Sequence, residues 1–580
     1  MTYDTIIKGA RWFDGTGAPS ALRHLGLRGD RVAAVSAEPL DETGCPHVVD
    51  AAGKWVVPGM IDIHTHYDVE VLQAPALAES VRHGITTIML GSCSLSTVHV
   101  EATDAGDLFG RVEAIPRQHV IEAVEQKTWR TAHEYVEALE ELPLGPNVAA
   151  MLGHSDVRTA LMGLDRATRK RVRPTAAEQA AMEGALCEAL DAGFVGMSAQ
   201  QLLFDRLDGD VARSRTLPST YARAKERRRL NRILRQRDRV LQAGPDIASP
   251  RSIAAMTLST LGLFRPRLKT TLLSAADLKA NPYLVYIMGP LARLLNALGG
   301  DFRWQHLPVP FEVYADGIDL VIFEEFGAGA AALHLADQVE RNALLRDETY
   351  RRRFRKEYDA KFGMRVWHRD FFDAEIVECP DAAVIGKTFG QVGLDRGGLH
   401  PVDAFLDLVV EYGTKLRWRT TISNHRPEIL DRYSADPGVQ LGFSDAGAHL
   451  RNMAFYNFGL RFLHRIHRAE QAGRPIISLE RAVHRMTGEL ADWYGIDAGR
   501  LREGDRADLI VIDPEHLDAS LDAYAEDVIP AYDNLSRMVN RNDATVSAVF
   551  IGGEFVFGDG VAAPVLGKHR TGRFLRAGGR

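Results

Sequence analysis

Two histidines separated by one residue are the first feature of the sequence that could do chemistry. His64 and His66 follow the segment 58–63, which reads as a Pro-Gly turn and then a short apolar strand. Residues two apart on a strand point to the same face, so both imidazoles would project together from one strand end. Either histidine alone could be an ordinary polar residue. As a pair placed directly after an apolar strand, they predict a site for one metal ion.

Cys93 and Asp445 are the residues best placed to complete such a site. Cys93 follows the apolar run 86–90, and Asp445 follows the apolar run 439–443. Thiolate, imidazole and carboxylate groups all bind zinc, and a divalent ion lowers the pKa of its water toward about 7. Asp445 could also take up the proton. The alternatives are a small core residue for Cys93 and a helix N-cap for Asp445.

Apolar runs alternate with helical patterns through the middle of the chain. The predicted strands are 86–90, 148–152, 194–198, 240–242, 269–274, 420–423 and 439–443. Alternation over about 400 residues favours a (β/α)8 barrel, whose active site lies at the carboxyl ends of the strands. Other polar residues at or near such ends include His154, Ser274 and His425.

Both ends of the chain carry short strand patterns joined by glycine turns. Neither end has enough strands to stand alone, so we predict a small β-sandwich built from residues 1–58 and 499–580 around a barrel of residues 59–498. A segment at about 339–413 breaks the alternation and holds a highly charged helix. We predict that it forms an inserted lid over the barrel mouth, with the charges on a solvated helix face.

The overall composition sets limits on partners and location. A formal net charge of −7, with 46% hydrophobic and 25% charged residues, is ordinary for a soluble globular protein and gives no support to nucleic-acid or anionic-membrane binding. No apolar window approaches the roughly 20 residues of a membrane span, and the first residues lack the pattern of a signal peptide. Four scattered cysteines predict no disulfide framework. We therefore expect a cytoplasmic protein, and a homo-oligomer is compatible with these features.

The segment 58–66 resembles the metal motif of the amidohydrolase superfamily, and the segment 508–513 resembles its returning C-terminal strand. More narrowly, the segments 91–93, 153–158, 196–198, 386–388 and 444–449 resemble the N-acyl-D-amino-acid deacylases (D-aminoacylases). Those enzymes use a cysteine where many relatives use a carboxylated lysine. The resemblance implies a zinc-dependent hydrolase with Asp445 as catalytic acid and base, and with four metal ligands: His64, His66, Cys93 and Asp445.

One departure from that family concerns a second metal ion. The deacylases also take a histidine from the fifth and the sixth strand, whereas the corresponding segments 241–246 and 273–277 contain none. We therefore predict one zinc ion. Asp246 or Asp277 could substitute as ligands.

The implied reaction is hydrolysis of a linear amide, in which an N-acyl-D-amino acid yields a carboxylate and a free amino acid. Asp445 would move the proton, and His425 would steady the oxyanion. The substrate's carboxylate calls for a cation, and an arginine could form a bidentate pair with it. The predicted substrate-binding residues are Arg451, Arg426, His154 and Ser274. Surface ion pairs for the arginines and backbone partners for the two histidines are the alternatives.

Two other functions remain open from the sequence. The first is hydrolysis of a cyclic amide or a lactone at the same kind of site, although the carboxylated lysine of many cyclic amidases is not evident. The second is a catalytically silent scaffold, which the missing strand histidines favour. The intact set of four candidate ligands argues against a silent scaffold.

Overall fold

The computed structural model describes residues 2–578 except 203–204, 208, 210, 247–248, 336 and 361–364. One curled sheet of eight parallel strands lies at its centre. Most of the strands are continuous buried runs, as expected for a parallel sheet covered on both faces. In chain order they are Met60–Asp62 (continued by His64–Thr65), Ile85–Leu90, Asn147–Gly153, Gly196–Gln200, Val240–Gly244, Lys269–Leu272, Asp301–His306 and Val439–Leu441 (continued by Phe443–Ala446).

The first and last strands meet and close this sheet into a barrel. The Ile63 amide donates to the Gly442 carbonyl at 2.7 Å, and the His66 amide donates to the Ala446 carbonyl at 2.7 Å. Phe443 pairs in parallel with His64. The predicted (β/α)8 class is confirmed, and the closure puts the histidine pair beside the strand that leads to Asp445.

The prediction of a barrel strand at 420–423 is wrong. These residues belong to Arg417–Ser423, which pairs antiparallel with Phe311–Asp316 and Glu375–Glu378 in a separate sheet. The seventh barrel strand is Asp301–His306 instead. Charged and aromatic residues alternate in this strand, so it lacks the apolar run by which the other barrel strands were predicted.

The chain between the seventh and eighth barrel strands has an aromatic core of its own. Phe405 stacks on Phe323 and Phe371 at ring-centroid distances of 5.6 and 4.6 Å. This part, the insertion, runs from 307 to 438 and includes the three-stranded sheet as well as the predicted segment 339–413. Its longer helices are Gly327–Leu333, Gln338–Arg346, Glu348–Asp359, Phe389–Asp395 and Pro401–Tyr412.

Strands from both ends of the chain share one nine-stranded sheet. Leu509–Ile512 pairs antiparallel with Trp55–Pro58, which leads through Gly59 into the first barrel strand. The sheet therefore anchors the strand that carries the histidines. Its order is Val561–Ala562, Glu554–Gly558, Val546–Ile551, Leu509–Ile512, Trp55–Pro58, Thr5–Trp12, Ala21–Arg28 and Arg31–Ser36, with His47–Asp50 beside Thr5–Trp12. Tyr524–Ile529 and Leu535–Asn540 form a separate hairpin.

Helices surround the barrel on its outer side. The longer ones are Ala102–Val112, Arg117–Glu125, Ala132–Glu141, His154–Met162, Ala176–Asp191, Ala224–Gln236, Pro250–Ser259, Val285–Ala297, Pro427–Ala435, Phe458–Gln471, Leu479–Met486 and Gly488–Tyr494. Within the described ranges, no helix has both the length and the apolar character needed to cross a membrane.

Candidate metal centre

Four side chains from three barrel strands come together at the carboxyl end of the barrel. His64, His66 and Cys93 each place one ligand atom within 4.8 Å of the others. His64 Nε2 lies 3.4 Å from Cys93 Sγ, and Asp445 Oδ1 lies 3.0 Å from His66 Nε2 and 3.4 Å from His64 Nε2. Metal–ligand bonds of about 2.0–2.3 Å in a tetrahedron separate the ligands by about 3.3–3.8 Å. The spacing therefore fits a single small ion.

Two of these four side chains stand on a left-handed backbone. The φ angle is 50° at Cys93 and 61° at Asp445. Non-glycine residues rarely adopt such angles, and those that do gather at functional sites. The Gly91 amide, at the start of the Cys93 turn, donates to Asp68 Oδ1 at 2.9 Å. A Cβ on Gly91 would lie 1.9 Å from the Met151 carbonyl oxygen, so this turn requires glycine.

Each imidazole has a buried partner on the ring nitrogen that faces away from the cluster. His64 Nδ1 lies 2.8 Å from Gln305 Oε1, and His66 Nδ1 lies 2.9 Å from Glu113 Oε1. Such partners orient the ring and leave Nε2 for a metal. Sequence reasoning missed both residues because neither stands in a motif. A glutamine inside the buried strand Asp301–His306 was the one signal available for Gln305.

The electrostatics of the cluster suit a cation. Burial raises the pKa of the Cys93 thiol to about 12, so a thiolate there needs a positive neighbour. Burial lowers the pKa of His64 to about 4. Burial alone would raise the pKa of Asp445, but the hydrogen bond and charge of His66 outweigh it and hold that pKa at about 2. A neutral imidazole and an ionised carboxylate are the forms that zinc binds. Burial alone would lower the pKa of His66, but the charge of Glu113 and the hydrogen bond with Asp445 outweigh it and raise that pKa, so a metal ion there must displace the proton of His66. The donor set therefore fits a divalent ion.

A cavity of about 720 Å³ opens onto the cluster, and all four side chains line it. This volume is typical of small-molecule sites. Glu113 and His449 line the cavity near the cluster, and Ser274, one of the predicted substrate-binding residues, also lines it. Most of the remaining wall is aliphatic or aromatic. The cluster can therefore act on a molecule that the cavity holds.

The two predicted arginines are not among the described residues that line this cavity. Arg426 donates two hydrogen bonds to the buried carboxylate of Asp277, one of them at 2.8 Å. Arg451 pairs with Asp316 at 3.0 Å and with Glu526 at 2.8 Å. These acidic partners lie far away in the sequence, so closeness to Asp445 along the chain did not reveal them. The structure also commits Asp277, an alternative metal ligand, to an ion pair.

The two predicted histidines are likewise absent from the described part of the cavity wall. His425 Nδ1 lies 3.6 Å from Asp277 Oδ2. His154 Nε2 lies 2.9 Å from Glu226 Oε1, and Arg158 pairs with the same carboxylate. All three members of this second group are buried, which indicates a structural role for His154.

We expect Glu226→Ala to lower the free energy of unfolding by about 3–5 kcal/mol at pH 7, because it leaves the buried guanidinium of Arg158 unpaired. Burial alone would raise the pKa of Glu226, but His154 and Arg158 outweigh it and lower that pKa from 4.5 to about 2. A pKa that is lower in the folded protein than in the unfolded chain stabilises the fold at pH values above the unfolded-state pKa. This stabilisation is lost as the pH falls toward the folded-state pKa. Urea unfolding should therefore show a smaller difference in the free energy of unfolding between the wild type and Glu226→Ala at pH 3 than at pH 7. Glu125→Ala, at an exposed position, is the control. If Glu226→Ala lowers the free energy of unfolding at pH 7 no more than this control does, the structural role of the buried group is refuted.

Comparison with known proteins gives a consistent family assignment. The model of the amidohydrolase family matches residues 47–239, a range that includes His64, His66 and Cys93. An uncharacterized protein of Mycobacterium tuberculosis (strain H37Rv) is 57% identical over 589 residues, covering 100% of this chain and 96% of that protein. The N-acyl-D-aspartate deacylase of Alcaligenes xylosoxydans xylosoxydans is 35% identical over 198 residues, covering 34% of this chain and 36% of that enzyme.

Two solved structures share the fold over nearly the full length. A D-aminoacylase superposes with a TM-score of 0.63 at 21% identity, covering 99% of this chain and 100% of that one. The N-acyl-D-glutamate deacylase of Bordetella bronchiseptica, solved with zinc and a phosphonate inhibitor, superposes with a TM-score of 0.62 at 23% identity and 100% coverage of both chains. At these identities the likeness shows the fold.

Proposed function

The chain belongs to the amidohydrolase family, and on this basis we propose that it is a metal-dependent hydrolase that deacylates N-acyl amino acids, with N-acyl-D-amino acids as the first substrates to test. The observation that carries this proposal is the cluster of His64, His66, Cys93 and Asp445 on the wall of a cavity large enough for a small molecule. The partial match to an N-acyl-D-aspartate deacylase supports the choice of substrate.

We propose that one Zn²⁺ is held by His64, His66, Cys93 and Asp445. When bound, a divalent ion polarises the scissile carbonyl and acidifies water. The fifth and sixth barrel strands, Val240–Gly244 and Lys269–Leu272, end without a histidine. This difference from the deacylases supports one ion rather than two.

The side chains of the protein would carry the proton and steady the developing charge. Asp445 touches both imidazoles and lines the cavity, so it can accept a proton from the attacking water and deliver it to the leaving nitrogen. His449 lines the same cavity, whereas His425 lies beside Asp277. We therefore propose His449, in place of His425, as the hydrogen-bond donor to the oxyanion.

Arg206 is the one arginine among the described residues of the cavity wall. Among the residues that the structure describes, its buried Nε has no hydrogen-bond partner, and the ion pair of this atom with Glu324 is long at 3.8 Å. Both oxygens of that glutamate lie 3.0 Å from His334 Nε2. A guanidinium whose N–H donors are not all used can bind a carboxylate through two parallel hydrogen bonds. Arg206 therefore replaces Arg426 and Arg451 as the proposed partner of the substrate carboxylate.

Arg206→Ala should raise the KM for an N-acyl amino acid by about 10- to 100-fold, which corresponds to the loss of a charged hydrogen bond. Hydrolysis of the matching N-acyl amine, which lacks the carboxylate, should not change. Steady-state kinetics on both substrates measures this difference. Arg228→Ala, on the exposed side of helix Ala224–Gln236, is the matched control. An equal loss on both substrates would rule out carboxylate recognition by Arg206.

A panel of N-acyl-D- and N-acyl-L-amino acids, assayed with and without chelator, tests the proposed function. We expect chelator-sensitive release of a carboxylate and a free amino acid, restored by added zinc. If the panel stays intact while a cyclic amide or lactone is hydrolysed, the cyclic amidase or lactonase alternative replaces the deacylase.

A further inference from the structure

The cavity beside the cluster has a long apolar wall that a small acyl group would leave largely unused. Three parts of the chain build this wall. Leu273 comes from the end of the sixth barrel strand, Met288 and Leu291 from helix Val285–Ala297, and Phe311 and Ile322 from the insertion. Aliphatic and aromatic surface favours an apolar ligand in proportion to the area removed from water.

This apolar wall continues to the protein surface along helix Val285–Ala297. Ile287 and Leu291 line the cavity, and Leu294 and Leu298 follow at a spacing that keeps all four on one helix face. Ile287, Leu294 and Leu298 are 60%, 56% and 53% exposed. Exposed apolar patches of this kind mark sites of interaction with apolar groups.

A second helix, Pro250–Ser259, lines the same cavity. Ile253, Ala254 and Thr257 face the cavity, and Leu258 is 55% exposed at the surface. The cavity thus connects the cluster to two helices that expose aliphatic side chains.

We propose that this cavity is an acyl-chain channel and that the substrate is an N-acyl amino acid with a medium or long alkyl chain. The alkyl chain of the substrate would run from the cluster toward helices Pro250–Ser259 and Val285–Ala297. In the reaction, the oxygen of water bonds to the acyl carbon, the C–N bond breaks, the acyl group leaves as a fatty carboxylate, and the nitrogen takes both protons of the water. The identity of the cleaved bond rests on the proposed function, whereas the channel rests on the wall alone.

The first test is the kcat/KM for N-acetyl, N-octanoyl and N-dodecanoyl derivatives of one amino acid. Each buried methylene contributes about fourfold. The dodecanoyl substrate should therefore exceed the acetyl substrate by at least about a hundredfold. Equal values across the series would overturn the channel and leave the deacylase intact.

A variant that fills the channel provides the matched comparison. Ala254 lines the cavity at an exposed position of its helix, so Ala254→Phe should fold and obstruct the channel. We expect it to lower kcat/KM for the dodecanoyl substrate by about tenfold or more and to change the acetyl value by less than about twofold. Ala255→Phe, on the next residue and outside the cavity lining, should change neither value. Equal losses in both variants would overturn the channel.

Binding of dodecanoate to chelator-treated protein separates the channel from the hydrolase proposal. Calorimetry should show saturable binding that Ala254→Phe weakens and Ala255→Phe does not. Lack of binding would overturn the channel. Binding by a zinc-loaded protein that hydrolyses no N-acyl amino acid would confirm the apolar site and overturn the deacylase.

Discussion

Replacement of Asp445 by asparagine should abolish turnover while zinc binding largely remains. The amide keeps the shape of the side chain and one ligand oxygen, but it cannot accept the proton that the reaction must move. Loss of a general acid and base typically costs about 10²- to 10⁴-fold in rate. The measurement is kcat on the best N-acyl amino acid, together with the zinc content of the same preparation.

Asp559→Asn is a matched control for this variant. Asp559 also stands at a left-handed backbone position, with φ of 47° against 61° at Asp445, and it is exposed in a turn of the terminal sheet. The control therefore makes the same chemical change at a similar φ angle outside the cavity lining, and its activity should equal that of the wild type. Retention of even a tenth of the activity in Asp445→Asn would remove Asp445 as the proton carrier.

Cys93→Ser should weaken zinc binding more than any change outside the cluster. Loss of a group that merely orients a ligand costs about 10- to 100-fold in metal affinity, so loss of the ligand itself should cost at least about a hundredfold. A serine hydroxyl at this position stays protonated and cannot replace a thiolate. Competition with a chromophoric chelator measures the affinity, and activity at limiting zinc should fall in parallel.

Cys45→Ser gives the corresponding control, since Cys45 donates to the His47 carbonyl in a loop of the terminal sheet. Its zinc affinity and activity should match the wild type. Unchanged affinity in Cys93→Ser would return Cys93 to the alternative reading, a small residue of the core.

The candidate ligands could be found from the sequence because strand geometry limits where they lie. His64 and His66 share a face through the two-residue period of a strand. Cys93 and Asp445 follow apolar runs, and the carboxyl ends of parallel strands meet at one end of a barrel. The structure brings all four together.

The supporting residues could not be found in this way. Glu113 and Gln305 reach the imidazoles from a loop and from the seventh strand, so their contacts depend on packing between distant segments. The same limit explains why the ion-pair partners of the predicted arginines could not be found from the sequence. The partner of Arg426 is Asp277, which lies 149 positions away along the chain. Arg206 carries no motif, and only its place on the cavity wall singles it out.

The wrong prediction of a barrel strand at 420–423 has a related cause. The residues 420–423 form a short, largely buried run, and such a run fits a barrel strand and an insertion strand equally well. The pattern of Asp301–His306, in which charged residues alternate with aromatic ones, is that of a strand exposed on one face. The aromatic face packs against helix Val285–Ala297, where Trp304 Nε1 donates to the Met288 carbonyl at 2.9 Å. Asp301 and Arg303 stay half-buried, and Arg303 pairs with Glu489 at 3.3 Å.

The metal content of the purified protein, measured by elemental analysis beside its hydrolysis of N-acyl amino acids, tests the central claim most directly. We predict one zinc ion per chain, loss of activity when a chelator removes it, and recovery when zinc is restored. Full activity in protein that holds no metal, or failure of the chain to bind zinc at all, would contradict the claim.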